Sequence, residues 1–192
     1  MAFPASTMGA MSPERPLITF DLDGVLCRPP FGINPGRGQG KRRDAPGTRN
    51  LLWLTERWRY AFRGPMHGAR EGLAAAMERF ECQVVSARSE HARALTERWL
   101  RKRFDHVPPL HLRPHWRETS AQFKVRRLQE LRPLAHFEDD PHTAGWLAEI
   151  LPAVFLVDWP RNRWLEGDRI HRIRTIAQAL PVLEDLAGRH GR

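Results

Sequence analysis

The chain has 192 residues, 41% of them hydrophobic, and a formal net charge of +9. This length suits a single domain, and the hydrophobic content excludes a disordered protein. No apolar run approaches the ~18–20 residues of a membrane helix, so we expect no membrane association. The excess positive charge indicates an anionic partner, either a phosphorylated substrate or a nucleic acid, unless it serves solubility alone.

Two features bear on where the protein works. Residues 1–15 lack a charged start followed by an apolar block, so we predict a flexible tail without a secretory signal. Cys27 and Cys82 stand apart and show no metal-type spacing, which is typical of reduced thiols. Both observations favour a cytoplasmic location.

The first predicted strand leads directly to an acidic turn. An apolar run at residues 16–20 ends in Asp21-Leu22-Asp23-Gly24, which predicts a buried strand that stops there. Residues 28–50 are rich in Pro, Gly and Arg and predict a long basic loop, and a helical stripe of apolar residues follows over 50–62. We therefore expect a small cap insertion at 28–66. Its cations and aromatic side chains can contact the phosphate or the nucleobase of a bound ligand. Alternatively, the cations are solvated and the aromatic side chains pack within the cap.

The rest of the chain alternates helices with strands. We predict helices at 69–80, 89–103, 119–133, 141–150 and 172–187, and strands at 82–86, 110–112, 134–138 and 153–157. Thr119 and Gln122 form a capping-box pattern, and Asp140-Pro141 is typical of a helix start. The alternation predicts a three-layer, Rossmann-like α/β domain over 16–192, with a parallel sheet and helices on both faces.

Acidic and hydroxyl side chains stand where the predicted strands end. They are Asp21, Asp23, Ser86, Glu138, Asp139 and Asp158. Ligands of parallel sheets collect at the carboxyl ends of the strands, so we expect these side chains to converge. Carboxylates held close together repel each other unless a cation joins them, and Mg²⁺ prefers carboxylates, phosphate oxygens and water. Taken alone, Asp-Leu-Asp-Gly is equally typical of a simple turn, and helix capping explains Asp140.

Two further residues are candidates for holding a phosphate. The hydroxyl of Ser86 and the amides of Ala87 and Arg88 can bind a phosphate oxygen, although Ser86 is also typical of a helix entry. Lys124 is one of only three lysines beside 28 arginines. A compact ammonium there can neutralise a transferring phosphoryl group, although Lys124 taken alone is more typical of a solvated surface lysine.

Together these residues resemble the haloacid dehalogenase-like superfamily. Its four motifs occur in order at 20–25, 85–86, Lys124 and 138–139. The resemblance implies the fold of that family and a Mg²⁺-dependent phosphohydrolase that forms an aspartyl-phosphate. The implied roles are Asp21 as nucleophile; Asp23 as acid/base; Gly24, Ser86, Ala87, Arg88 and Lys124 as substrate-binding residues; and Asp21, Asp139, Glu138 and the Asp23 carbonyl as metal ligands, with Glu138 direct or indirect.

A finer resemblance concerns residues 137–141 and 156–162, which look like the 5'-nucleotidase branch that includes the 5'(3')-deoxyribonucleotidases. It implies a nucleotide or a related small phosphate as substrate. The interval available for a cap is shorter than in that branch, which leaves the site more open. A homodimer, in which a partner chain completes the small cap, is a further expectation.

Three rival interpretations remain. An open cap and many arginines also suit a phosphatase that acts on nucleic-acid ends. A non-catalytic nucleic-acid-binding protein of the same fold is the second rival, and the acidic residues disfavour it. A zinc site formed by His111 and His115 is disfavoured by Pro114, which lies between them.

Overall fold

The computed structural model describes residues 15–29, 63–114 and 117–190. Within these ranges the chain forms one six-stranded parallel sheet and five α-helices. The strands are β1 (Leu17–Phe20), β2 (Glu81–Ser89), β3 (Leu110–Arg113), β4 (Ala135–Glu138), β5 (Ala153–Val157) and β6 (Ile170–Ile173). The helices are α1 (Ala69–Arg79), α2 (Arg93–Arg103), α3 (Ser120–Leu131), α4 (Pro141–Ile150) and α5 (Leu180–His190).

The order of the strands is β3-β2-β1-β4-β5-β6, and every neighbouring pair is parallel. Strand β1 therefore lies inside the sheet, between β2 and β4. Its last residue, Phe20, pairs with Val84 on one side and with Phe137 on the other. The residues that follow these positions leave three adjacent strands at the same edge, which is where the sequence predicted a site.

Two hydrophobic cores cover the two faces of the sheet. One contains Leu73 of α1, Trp99 of α2 and Leu183 of α5. The other contains Phe123 of α3 and Leu147 of α4. The fold is thus a three-layer, Rossmann-like α/β arrangement, as predicted.

Most predicted elements are confirmed, and the start of the last helix is wrong. Helix α4 and strand β5 have the predicted bounds, and Thr119 and Gln122 form the expected capping box. The predicted helix over 172–187 instead begins at Leu180, because Ile170–Ile173 forms strand β6. Within the described residues this strand pairs with β5 alone, at an edge of the sheet. An edge strand can keep polar residues, so its short sequence lacks the apolar run that marks a buried strand.

Other predictions have mixed outcomes. Strand β2 continues to Ser89, beyond the predicted end at Ser86, with an irregularity between these two residues in its pairing with β3. The predicted helix over 50–62, most of the cap insertion and most of the N-terminal tail lie outside the described residues. Cys27 and Cys82 are both buried free thiols. None of the helices in the described ranges has the length and hydropathy needed to cross a bilayer.

Candidate active site

Three carboxylates converge at the carboxyl edge of the sheet. Asp21 follows β1, and its amide donates to the carbonyl of Phe137 at 2.8 Å. Glu138 ends β4, and Asp139 follows it. One carboxylate oxygen from each of Asp21, Glu138 and Asp139 lies within 4.8 Å of the others, and all three residues are buried. The acids that the sequence placed at the first and fourth strand tips are therefore neighbours in space.

Lys124 lies between two of these acids. Its Nζ is 3.0 Å from Asp21 Oδ2 and 2.6 Å from Glu138 Oε2, and only 4% of its side chain is exposed. Burial alone would lower the pKa of Lys124, but the two carboxylates raise it, so the ammonium stays charged. Helix α3 holds this lysine in place through the capping box at Thr119 and the buried Phe123. The surface-lysine interpretation is therefore wrong.

Glu138 uses both of its oxygens within the protein. Oε1 accepts hydrogen bonds from the amides of Asp139 (3.0 Å) and Asp140 (3.1 Å), while Oε2 accepts from Lys124. Burial raises the pKa of Glu138, but the charge of Lys124 and the contacts with His136 and Lys124 together outweigh burial, so the net pKa is lowered. Glu138 thus orients Lys124 and the β4 tip, and both of its oxygens already have partners within the protein.

Behind Glu138 lies a buried histidine that sequence reasoning missed. His136 Nδ1 is 2.8 Å from Thr19 Oγ1, and its Nε2 is 3.5 Å from Glu138 Oε2. Burial lowers the pKa of His136, which favours the neutral ring. A histidine between the apolar residues Ala135 and Phe137 was the available signal.

Gly24 leaves room for Asp139. Its φ is +92°, a conformation that side-chain-bearing residues rarely adopt. A Cβ at this position would lie 2.1 Å from Asp139 Oδ2, which is a severe overlap. The turn after β1 therefore needs glycine for two reasons, and the second is the close approach of a site carboxylate. The structure gives Gly24 a steric role, whereas the sequence resemblance implied substrate binding.

Asp23 lies outside the carboxylate group and is paired with two arginines. Arg88 donates to it from Nε (2.8 Å) and Nη2 (2.7 Å), and Arg63 donates from Nη1 at 2.5 Å. Burial acts to raise the pKa of Asp23, but the charges and hydrogen bonds of Arg88 and Arg63 lower it to about 2. Arg63 was not predicted, since nothing in its immediate sequence marks it.

The predicted phosphate-binding residues on β2 have different surroundings. Ser86 is buried, with 1% of the residue exposed, and its Oγ accepts from the amide of Arg88 at 3.4 Å. Ser86 lies two residues beyond Val84, the partner of Phe20, so it reaches the same edge of the sheet as Asp21. The Arg88 side chain turns to Asp23, as described above. Ala87 is half-buried on the same strand.

The turn after β5 supplies two more residues to this edge. The guanidinium of Arg161 contacts Asp139 Oδ2, and Asn162 donates to the Asp139 carbonyl at 3.1 Å. Both lie in the stretch 156–162 that carried the finer resemblance, although neither was assigned a role. Asp158 instead contacts Arg163 (3.3 Å) and Arg172 (3.5 Å).

The remaining candidate, a zinc site, gains no support. His111 Nε2 is 2.7 Å from Gln83 Oε1, and its Nδ1 is 2.8 Å from Arg127 Nη2. Both ring nitrogens therefore have protein partners. His115 lies outside the described residues.

The donor set of the carboxylate group fits a hard divalent cation. Burial is the main reason why the pKa of Asp21 is raised well above its ordinary value; Lys124 opposes this, and Glu138, Asp139 and Asp23 add to it. Crowded carboxylates of this kind are stabilised by positive charge. Oxygen donors are the ligands that Mg²⁺ prefers, so Asp21 and Asp139, with Glu138 beside them, fit this ion.

Comparisons with known proteins support the fold. No protein-family model matches the chain, and no curated protein matches it significantly in sequence. Six chains of solved structures match it significantly. Among them is the D,D-heptose 1.7-bisphosphate phosphatase from B. bronchiseptica, in a crystal structure with magnesium and phosphate. Its TM-score is 0.53 and its identity is 14%, and the match covers 88% of this chain and 99% of that chain. At this identity the likeness establishes a shared fold.

Proposed function

We propose that the protein is a Mg²⁺-dependent phosphohydrolase of the haloacid dehalogenase-like superfamily that works through an aspartyl-phosphate on Asp21. The observation that carries the proposal is the convergence of Asp21, Glu138 and Asp139 within 4.8 Å, with the buried Lys124 contacting the first two. The solved phosphatase that shares this fold contains magnesium and phosphate, which supports the same chemistry here.

In the first step, a carboxylate oxygen of Asp21 attacks phosphorus and the bond to the leaving oxygen breaks. Lys124 offsets negative charge next to Asp21, where the phosphoryl group would be attached. Ser86 and the amides beyond it bind phosphoryl oxygens from the adjacent strand. Asp21 and Asp139 would hold Mg²⁺, which when bound offsets charge on the phosphoryl oxygens.

In the second step, water attacks the phosphorus of the aspartyl-phosphate and Asp23 takes a proton from the water. The bond between phosphorus and the Asp21 oxygen breaks, which releases phosphate and restores the Asp21 carboxylate. Asp23 is ionised, as a proton acceptor must be, although Arg88 and Arg63 lower its pKa to about 2 and so weaken it as a base. Donation of a proton to the leaving group in the first step requires a protonated Asp23. That step therefore needs the two guanidiniums to move away from the carboxylate.

For the substrate, we propose a small phosphomonoester, with nucleotides as the first class to examine. The resemblance of 137–141 and 156–162 to the 5'-nucleotidase branch supports this class. Sugar phosphates are the second class, since the fold neighbour is a heptose bisphosphate phosphatase. The net charge of +9 favours including oligonucleotide 5' and 3' phosphate ends.

The test is phosphate release from these three classes and from an aryl phosphate, with and without Mg²⁺. We expect turnover that requires Mg²⁺, and we expect Asp21→Asn to lower it by at least about 10³-fold because the nucleophile is lost. Asp105→Asn, at an exposed position after α2, is the matched control and should keep full activity. Undiminished turnover by Asp21→Asn, free of contaminating phosphatase, would contradict the mechanism. A wild-type protein that binds oligonucleotides without Mg²⁺ and releases no phosphate would favour the non-catalytic rival.

A further inference from the structure

The turn after β5 brings a cation onto Asp139, one of the three carboxylates that converge at the site. The guanidinium of Arg161 contacts Asp139 Oδ2, and its Nη1 is 3.5 Å from Asp140 Oδ2. Only 10% of the Arg161 side chain is exposed. This contact is therefore part of the site, and it places a positive charge on a residue that the proposed function assigns to Mg²⁺.

The turn is firmly attached to the β4 tip by Asn162, which is fully buried. The side-chain amide of Asn162 donates to the carbonyls of Asp139 (3.1 Å) and Val157 (2.7 Å). Its Oδ1 lies 2.8 Å from Arg172 Nη1 and accepts from the Trp159 amide at 3.2 Å. These bonds hold the backbone of the turn, so the position of Arg161 beside Asp139 is built into the fold.

The pairing of Arg161 is nevertheless incomplete. Its Nε is buried, and among the described residues it has no hydrogen-bond partner. Arg88, by contrast, places both Nε and Nη2 on Asp23. A buried donor without a partner costs free energy, so the contact of Arg161 is easier to exchange than that of Arg88.

A divalent ion on Asp139 and a guanidinium on the same carboxylate are like charges in competition for one group. We infer that Arg161 is an exchangeable counterion of Asp139: it neutralises this carboxylate in the metal-free protein, gives way to Mg²⁺, and then binds the phosphate of the substrate. The inference rests on the proposed function for the identity of the metal and the substrate. It assigns Arg161 two opposite effects on binding: the residue weakens the binding of Mg²⁺ and strengthens the binding of phosphate.

The first arm of the test measures Mg²⁺ binding alone, by calorimetric titration and by the shift of the thermal unfolding midpoint. Arg161→Gln should bind Mg²⁺ about fivefold more tightly than the wild type, because the competing charge is gone. Arg161→Lys keeps the charge and should stay close to the wild type. Arg163→Gln is the matched control: it lies on the same turn, 64% of its side chain is exposed, and it contacts Asp158. Its Mg²⁺ affinity should not change.

The second arm measures the binding of inorganic phosphate to the Mg²⁺-loaded protein. Arg161→Gln should weaken phosphate binding by about tenfold, while Arg163→Gln leaves it unchanged. An unchanged or lower Mg²⁺ affinity in Arg161→Gln would overturn the exchange, and unchanged phosphate affinity would overturn the anion-binding role. If the wild type binds Mg²⁺ and turns over substrate, either result leaves the proposed function standing. A wild type that binds no Mg²⁺ would overturn both.

Discussion

Asp21 and Asp23 are two positions apart on one turn, yet their carboxylates have opposite electrostatic surroundings. Asp21 faces Glu138 and Asp139, and burial with these like charges raises its pKa despite Lys124. Asp23 faces Arg88 and Arg63, which lower its pKa to about 2 against the effect of burial. Two residues of the same type therefore differ because of partners that come from distant parts of the chain. Around Asp21 the negative charges of two further acids outnumber the single ammonium of Lys124, whereas Asp23 has two guanidiniums as its partners.

This difference assigns the two sides of the turn different chemistry. The Asp21 side is suited to bind a cation, which would then lie next to the Asp21 carboxylate, the proposed nucleophile. The Asp23 side is suited to keep a carboxylate ionised and fixed in direction. Variants on the two sides should therefore change stability and activity in different directions and by different amounts.

The largest effect is expected at Gly24, where the two environments meet. Gly24→Ala combines a positive φ with a Cβ placed 2.1 Å from Asp139 Oδ2, so Asp139 must move. We expect a loss of about 3 kcal/mol or more in the free energy of unfolding, measured by chemical denaturation, and loss of Mg²⁺ binding. Gly188→Ala is the control, since it lies in α5 with open space around its Cβ. The control variant should gain about 0.5–1 kcal/mol. If Gly24→Ala loses less than about 1 kcal/mol in the free energy of unfolding, the steric argument is contradicted.

The next effect compares the same substitution at both acids in the absence of Mg²⁺. Asp23→Asn leaves two buried guanidiniums without their carboxylate and should cost about 3 kcal/mol. Asp21→Asn removes a charge that burial and its acidic neighbours disfavour, so stability should be unchanged or raised. Denaturation at neutral pH checks both values. Equal losses would mean that the two carboxylates do not differ as described.

Asp23→Asn also tests the base role through a different readout. An aryl phosphate has a good leaving group, so its first step needs little help from an acid. The variant should then release about one leaving group per site in a burst and stall, because the aspartyl-phosphate is not hydrolysed. A steady rate without a burst would place the function of Asp23 in the first step.

The smallest effect should separate the two arginines that hold Asp23. Arg88 makes two hydrogen bonds to the carboxylate, and its side chain is 2% exposed. Arg63 makes one hydrogen bond to Asp23 and donates its Nε to the carbonyl of Arg28 at 2.6 Å. We expect Arg88→Gln to cost about 2 kcal/mol and Arg63→Gln about 1 kcal/mol in unfolding experiments. The reverse order would show that Arg63 is the principal partner.

Much of the fold could be predicted from the sequence because local signals agree with it. Buried parallel strands such as β5 are continuous apolar runs, and the helix starts at Thr119 and Asp140 have standard caps. Strand β6 escaped notice because an edge strand is short and half polar. Its backbone pairing depends on a neighbour that local patterns do not reveal.

The site was predictable where its residues occupy strand ends or fixed motif positions, as do Asp21, Lys124 and Asp139. Arg63 and Arg161 were not predictable in the same way. Each is one arginine among 28, and its role depends on a carboxylate that only the folded chain brings near. The lowered pKa of Asp23 follows in part from the contact with Arg63, and so it too was beyond the reach of local patterns.

The central place of β1 in the sheet has a consequence for folding. The hydrogen bond from Thr19 to the carbonyl of Ala135 spans 116 residues of chain. Long loops must therefore close before the strand that leads to Asp21 has neighbours on both sides, and such distant contacts slow folding. A fragment that ends after α2 would contain Asp21 and Asp23 but lack Lys124, Glu138 and Asp139. Metal binding can therefore report on the pairing of β1 with β4 during refolding.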